Sequence, residues 1–257
     1  MNANRFFILF LLAVLFLLPG AGCGKSHLKI GKGEPDAEFK ECLRLSAKGK
    51  YEDTIQCMEM YKARYPNTIE GQEAELRIGD AQFAKKEYLV AAESYQAFVK
   101  LSPTHPKVDY AYLRSGISYL KESPKAIDRD QQYLSNAIEQ FRTLLRRYPT
   151  SSYADLAQAN LQVALKRIAK RHFYVGRFYY RTGQYIASLP RFKEVFDNYP
   201  ESGLVQRALY LTVVGALKVG KADEAREAYS LLQVKYPGTS ATKSAEKKML
   251  KTAKAKG

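Results

Sequence analysis

Five prolines close five copies of one helical pattern, and that repetition leaves room for little except a stack of helix pairs. The prolines are Pro66, Pro103, Pro149, Pro200 and Pro237, four of them preceded by tyrosine (Tyr65, Tyr148, Tyr199 and Tyr236). Proline cannot continue a helix, and it drives the residue before it out of the α region. Twelve residues before each proline stands a small side chain: Thr54, Ala91, Ala137, Ser188 and Ala225. Eight residues before it stands a large one: Met58, Tyr95, Phe141, Phe192 and Tyr229. The small residue lets two helices approach, and the large one fills the space a turn later. Chance does not set five such copies in register.

The copy from Gly183 to Pro200 is the fullest. Gly183 offers the left-handed turn after a preceding helix, and Tyr185, Ser188, Phe192 and Val195 share one helical face. The closing prolines lie 37, 46, 51 and 37 residues apart, against about 34 for a tetratricopeptide unit. Gly79, Gly116 and Gly176 fall where that repeat wants glycine in its first helix, while Cys42 and Val213 take the place in the outer copies. The expected fold is all-α, a right-handed superhelix of five tetratricopeptide-like helix pairs over residues 36–239, with a basic C-terminal helix over 240–257. Helices are predicted near Asp36–Ala47, Tyr51–Arg64, Glu70–Lys85, Tyr88–Leu101, Pro106–Lys121, up to Arg147, Ser152–Arg181, Val205–Lys218 and Ala222–Lys235. Pro106 suits a first helical turn, and Glu122–Asp130 read as an insertion. Pro190, inside the second helix of repeat four, predicts a kink or a restart there.

The first residues bear on compartment. Arg5 precedes thirteen residues without a polar side chain, Phe6–Leu18, a signal-peptide core too short for a comfortable membrane span. Pro19-Gly20-Ala21-Gly22 then lead to Cys23. Residues 1–22 look like a bacterial lipoprotein signal, although Gly20 stands where the pattern prefers a larger aliphatic residue. That resemblance implies that Cys23 is acylated, palmitate included. It also implies that residues 23–35 form a flexible tether, and that Gly24, where an aspartate would retain the protein at the inner membrane, permits passage to the outer one. Gly24-Lys25-Ser26 ends like a phosphate-binding loop, but Pro19 stands where its first glycine belongs.

The formal charge is +15, which suits nucleic acid, anionic membranes or acidic proteins. Lys166, Arg167, Lys170, Arg171, Arg177 and Arg181 crowd sixteen residues without an acid, interleaved with Phe173, Tyr174, Phe178 and Tyr179. In an exported chain that stripe points to acidic protein partners or plain solvation rather than nucleic acid. The lysine run from Lys243 to Lys256 suits anionic lipid headgroups or a solvated closing helix equally. His27, His105 and His172 lack metal-ligand spacing, and no nucleophile motif occurs, so no metal, cofactor or enzymatic activity is expected.

A five-repeat chain of this size behind a lipoprotein signal resembles the BamD family, the tetratricopeptide lipoprotein subunits of the outer-membrane β-barrel assembly machinery. The Asp128-Arg129-Asp130-Gln131-Gln132 stretch, the long first helix of repeat four and Arg191 carry the resemblance further. It implies a non-enzymatic scaffold, lipid-anchored at the periplasmic face of the outer membrane. Its partners would be the barrel subunit's periplasmic domains, other assembly lipoproteins and unfolded outer-membrane protein precursors awaiting insertion. Arg191 would contact the barrel subunit, with Arg177, Arg181, Asp128, Arg129 and Asp130 as further partner-binding residues. The competing expectation is a periplasmic repeat lipoprotein that coordinates cell-wall or envelope assembly.

The first helices of such repeats line a concave groove. By register it carries Phe39, Leu43, Leu76, Phe83, Leu113, Ile117 and Leu120, then Lys170, Phe173, Arg177, Tyr180 and Arg181. An apolar groove running into a basic, aromatic one suits an extended peptide with apolar side chains and a free carboxylate; the same residues also suit inter-repeat packing. Arg191, off the apolar face of its helix, is expected at the surface. Cys42 and Cys57 sit on the two helices of repeat one, and an oxidising periplasm permits their disulfide. Cys57 lies one residue off the inward Met58, which favours two buried thiols instead.

Overall fold

The computed structural model describes residues 33–254, so the expectations for the signal, Cys23 and the tether lie outside the described residues. Eleven α-helices follow one another there: α1 Pro35–Ala47, α2 Tyr51–Arg64, α3 Ile69–Ala84, α4 Tyr88–Leu101, α5 Val108–Glu122, α6 Gln132–Arg147, α7 Ala154–Arg181, α8 Tyr185–Asn198, α9 Val205–Lys218, α10 Ala222–Lys235 and α11 Ser240–Lys254. Each packs chiefly on the next, giving five helix pairs, and α11 closes the array against α9 and α10.

The repeats end alike because the same chemistry ends them. Each second helix stops two residues before its proline, and the intervening residue still donates its N–H back one turn, as Tyr65 does to Tyr61 and Tyr199 to Val195. Between the helices of a pair, the chain turns through a left-handed residue at Gly49, Gly183 and Gly220. In repeat two that position is held by Lys86 at φ 66°, closed by the same six-residue bond from Glu87 N–H to the Gln82 carbonyl.

The repeat pattern becomes an interlock. A Cβ on Gly79 would stand 2.9 Å from Tyr95, one on Gly116 2.5 Å from Phe141, and one on Gly176 2.8 Å from Phe192. Each aromatic ring therefore occupies the space that its facing glycine leaves empty, and any larger residue there overpacks the pair. In repeat one the expectation of two thiols is corrected. Cys42, at the glycine position, is disulfide-bonded to Cys57, with Cα atoms 5.5 Å apart. Both Cys57 and Met58 are fully buried, because α2 is packed between α1 and α3 and two adjacent positions are covered together.

Two other expectations change. Pro106 precedes α5 in a turn, where the Lys107 N–H meets His105 Nδ1 at 3.2 Å, and the helix begins at Val108. Of the kink or restart expected at Pro190, the restart does not occur, since α8 runs unbroken from Tyr185 to Asn198. Pro190 sits six residues in, so one backbone bond is lost while packing of Ser188, Leu189, Phe192 and Val195 holds the helix.

The 28-residue α7, about 42 Å long at 1.5 Å per residue, joins the two main cores. Its first half (Ala157, Leu161, Ala164) belongs to the core of repeats two and three, and Phe173 belongs to that of repeats four and five. The candidate site lies beside this seam.

Candidate functional site

Between α7, the start of α9 and the loop before α6 lies an open cleft of about 650 Å³. Ile127, Lys170, Phe173, Tyr174, Arg177, Phe178, Arg181, Thr182, Leu204 and Arg207 line it. Positions 170, 173, 174, 177, 178 and 181 share one side of α7 because they recur at spacings of three and four. The result alternates cation and ring along a single face. Phe173 is anchored against Phe192, with ring centroids 5.7 Å apart, and Arg207 reaches over it from α9 with its guanidinium 5.2 Å from the ring centre. Tyr174 and Phe178 stand out into the cleft, 47% and 56% exposed.

No carboxylate lines the cleft, and none of its four cations forms an ion pair among the described residues. Such a surface can hold an anion through charge-assisted bonds and apolar or aromatic groups against its rings.

The loop wall is held from beneath. Arg167 donates to the carbonyls of Leu120, Ser123 and Pro124 at 3.1, 3.2 and 2.8 Å. Two of these lie at the end of α5, where a helix presents unpaired carbonyls and its negative pole. Arg171 donates to the Ile127 and Arg129 carbonyls. Buried Gln131 donates from Nε2 to Pro124, Ala126 and Arg129 at 3.0–3.3 Å. Burial, with no acid to offset it, lowers the Arg167 pKa from its ordinary value. Three side chains thus fix the loop through its backbone, leaving Asp128, Arg129 and Asp130 exposed and Ile127 turned to the cleft.

The predicted groove residues divide. Phe39, Leu76 and Leu113 are buried core, which corrects their assignment to an open wall. Leu43, Phe83, Ile117 and Leu120 are half-buried against that core, and Arg114 covers Phe83 with its guanidinium 3.9 Å from the ring centre. Tyr180 is corrected as well. It packs edge-on against Tyr185 at 5.2 Å and near Phe192, at the contact of α7 with α8 rather than in the cleft. Lys170, Arg177 and Arg181 do come together there, while Phe173, itself core and 5% exposed, reaches the cleft only at its floor. Arg191 is exposed but outside the cleft; its Cβ lies 3.2 Å from where a Cβ on Gly176 would stand. Sequence reasoning missed Ile127, Leu204 and Arg207. The first belongs to an insertion without repeat register, and the other two belong to the following repeat.

A family model described as "YfiO: Outer membrane lipoprotein" matches residues 33–232. Among curated relatives, an outer membrane protein assembly factor BamD of Vibrio cholerae serotype O1 is 24% identical over 222 residues, covering 83% of this chain and 92% of its own. The protein of that name from Caulobacter vibrioides is 25% identical over 191 residues; the match covers 74% of this chain but only 62% of the relative's length. Rickettsia prowazekii has another, 26% identical over 202 residues, with coverage of 78% and 80%. A tetratricopeptide-repeat protein of Thermus thermophilus aligns over 86% of this chain and 99% of its own at 16% identity; its TM-score of 0.38 leaves that likeness descriptive.

Proposed function

This chain belongs to the YfiO family of outer membrane lipoproteins, and from that premise we propose that it is a non-catalytic assembly factor for outer membrane proteins. It binds the terminal strand of unfolded precursors in the cleft of α7 and passes them to a barrel-forming subunit. The observation that carries the reading is the cleft itself, with four unpaired cations, three aromatic rings and no acid. A terminal carboxylate would meet Arg177 and Arg181, whose planar forks match its geometry. Alternate apolar side chains of an extended strand would lie on Tyr174, Phe178 and Leu204. The exposed Asp128–Asp130 loop and Arg191 offer two separate surfaces for the other subunits. Acylation at Cys23 would hold the scaffold at the periplasmic face of the membrane, so Cys23→Ala would release it from membranes.

The test is a fluorescent peptide of alternating apolar residues ending in phenylalanine, with its terminus free or amidated. The free acid should bind about tenfold more tightly, one charge-assisted contact being worth about 1.5 kcal/mol or more. Equal binding of both forms would remove the carboxylate from the proposal, and no binding of either would remove the cleft.

A further inference from the structure

The closing helix α11 lacks the local charge pairing seen on several other helices and turns. Arg44 pairs with Glu41, Lys193 with Asp197, Lys221 with Glu224 and Arg226 with Asp223, each within about one turn. On α11, Lys243, Lys247, Lys248, Lys251 and Lys254 form no ion pair among the described residues, and Glu246 is the helix's one acid. At 3.6 residues per turn, Lys243, Lys247, Lys251 and Lys254 share one side, with Leu250 among them. All five are exposed, Leu250 at 59%. Thr242, Ala245 and Met249 fall on the opposite side, where buried Ala245 and half-buried Met249 join the core beneath. The basic face therefore points directly away from the body. Like charges one turn apart repel and weaken a helix, and against four lysines this side has only Glu246. A local rule broken with so little internal compensation marks a surface built to meet something else.

The character of the face selects the partner. Protein interfaces favour aromatic residues and arginine and are depleted in lysine. This face has four lysines, one leucine and the lone acid Glu246 around an open hollow, with no arginine and no aromatic ring. Lysine ammonium groups on flexible stems suit a diffuse anionic sheet, and one leucine suits shallow entry at its boundary. We propose that this face of α11 rests on anionic phospholipid headgroups, with Leu250 entering the interface, so that the last helix is an attachment to the membrane. The inference rests on family membership, which puts the chain at a membrane, and is independent of the peptide cleft.

The mature chain from Gly24 onward, without lipid, is mixed with vesicles of phosphatidylcholine alone or of phosphatidylcholine with phosphatidylglycerol. Binding to the anionic vesicles only, and its release by salt, is expected. Changing Lys243, Lys247, Lys251 and Lys254 to Gln should weaken it at least ~tenfold. The same charge removed at exposed Lys40, Lys48, Lys100 and Lys121 should leave most of it, and Lys→Arg changes on α11 should retain it. Leu250→Trp should show blue-shifted emission on the anionic vesicles alone. Equal losses from the two lysine sets would assign binding to net charge and overturn the proposal. So would an unshifted indole emission from the Leu250→Trp variant once it is bound. If the chain ignores vesicles but is retained by an acidic protein through the same lysines, the partner is a protein and the proposal falls. A lost peptide cleft with intact vesicle binding would leave α11's role standing.

Discussion

The molecule carries two cation-rich regions on the first helices of its repeats, and they are built oppositely. In repeats two and three each cation of the cluster has an acid. Arg77 bonds to Glu73 and reaches Asp80 at 3.1 Å, Lys107 reaches Glu73 at 2.6 Å, and Arg114 lies 3.6 Å from Asp80. Asp80 Oδ1 also accepts from the hydroxyls of Tyr95 and Tyr110 at 2.8 and 2.9 Å. Burial and then the charge of Asp80 push both phenols up in pKa, so they remain donors. In repeat four, Lys170, Arg177 and Arg181 face open space with no acid at all. The difference teaches that charge count alone does not mark a site. Satisfied cations lock repeats together, while unsatisfied ones are available to a ligand.

The strongest test of that contrast is Asp80→Ala. It strands Arg114, two hydroxyls and part of Arg77 in a half-buried setting, so stability in urea unfolding should fall by about 2–4 kcal/mol. A loss under ~0.5 kcal/mol would show the Asp80 network of repeats two and three to be incidental. Reducing the Cys42–Cys57 disulfide acts on the same half of the array. It closes a chain separation of 15 residues, for which about 3 kcal/mol is the expected contribution, read as a lower melting temperature in reductant. Unchanged melting would put the stability of repeat one in packing alone.

The mirror-image change is Arg177→Gln with Arg181→Gln. It should move stability by no more than ~0.5 kcal/mol, since both side chains are exposed, while lowering affinity for the free-acid peptide at least ~tenfold. If it unfolds the protein, the two regions do not differ as described.

The smallest effect sharpens the contrast by pH. His172 of α7 stacks on Tyr199 at 5.8 Å. Burial, then Arg191 and Arg171, lower its pKa despite Glu194. The unfolded chain therefore binds the proton more readily, and this contribution to stability is present above about pH 6.5 and is lost as pH falls through the folded value. His172→Phe should flatten that decline in unfolding curves between neutral and mildly acidic pH. An identical decline in the variant would place the titrating group elsewhere.

Much of this was legible without coordinates. The prolines with their small and large partners mark the repeats, because a helix end and a helix–helix approach are local events with local residue requirements. The stripe on α7 was legible for the same reason, since residues three and four apart on one helix must share a side. What only the tertiary structure decided is which of these faces stays open. Leu76 and Phe173 carry the same periodic signal as Tyr174 and Phe178, yet neighbouring helices bury them while those two rings stay exposed. Ile127 and Arg207, from an insertion and a different repeat, complete the cleft without any signal of their own. Cys57 and Met58 are both buried because α1 and α3 flank α2 and together cover two adjacent positions. Periodicity specifies the face a residue lies on; whether a neighbour covers that face depends on how separate elements pack, which no spacing along one helix records.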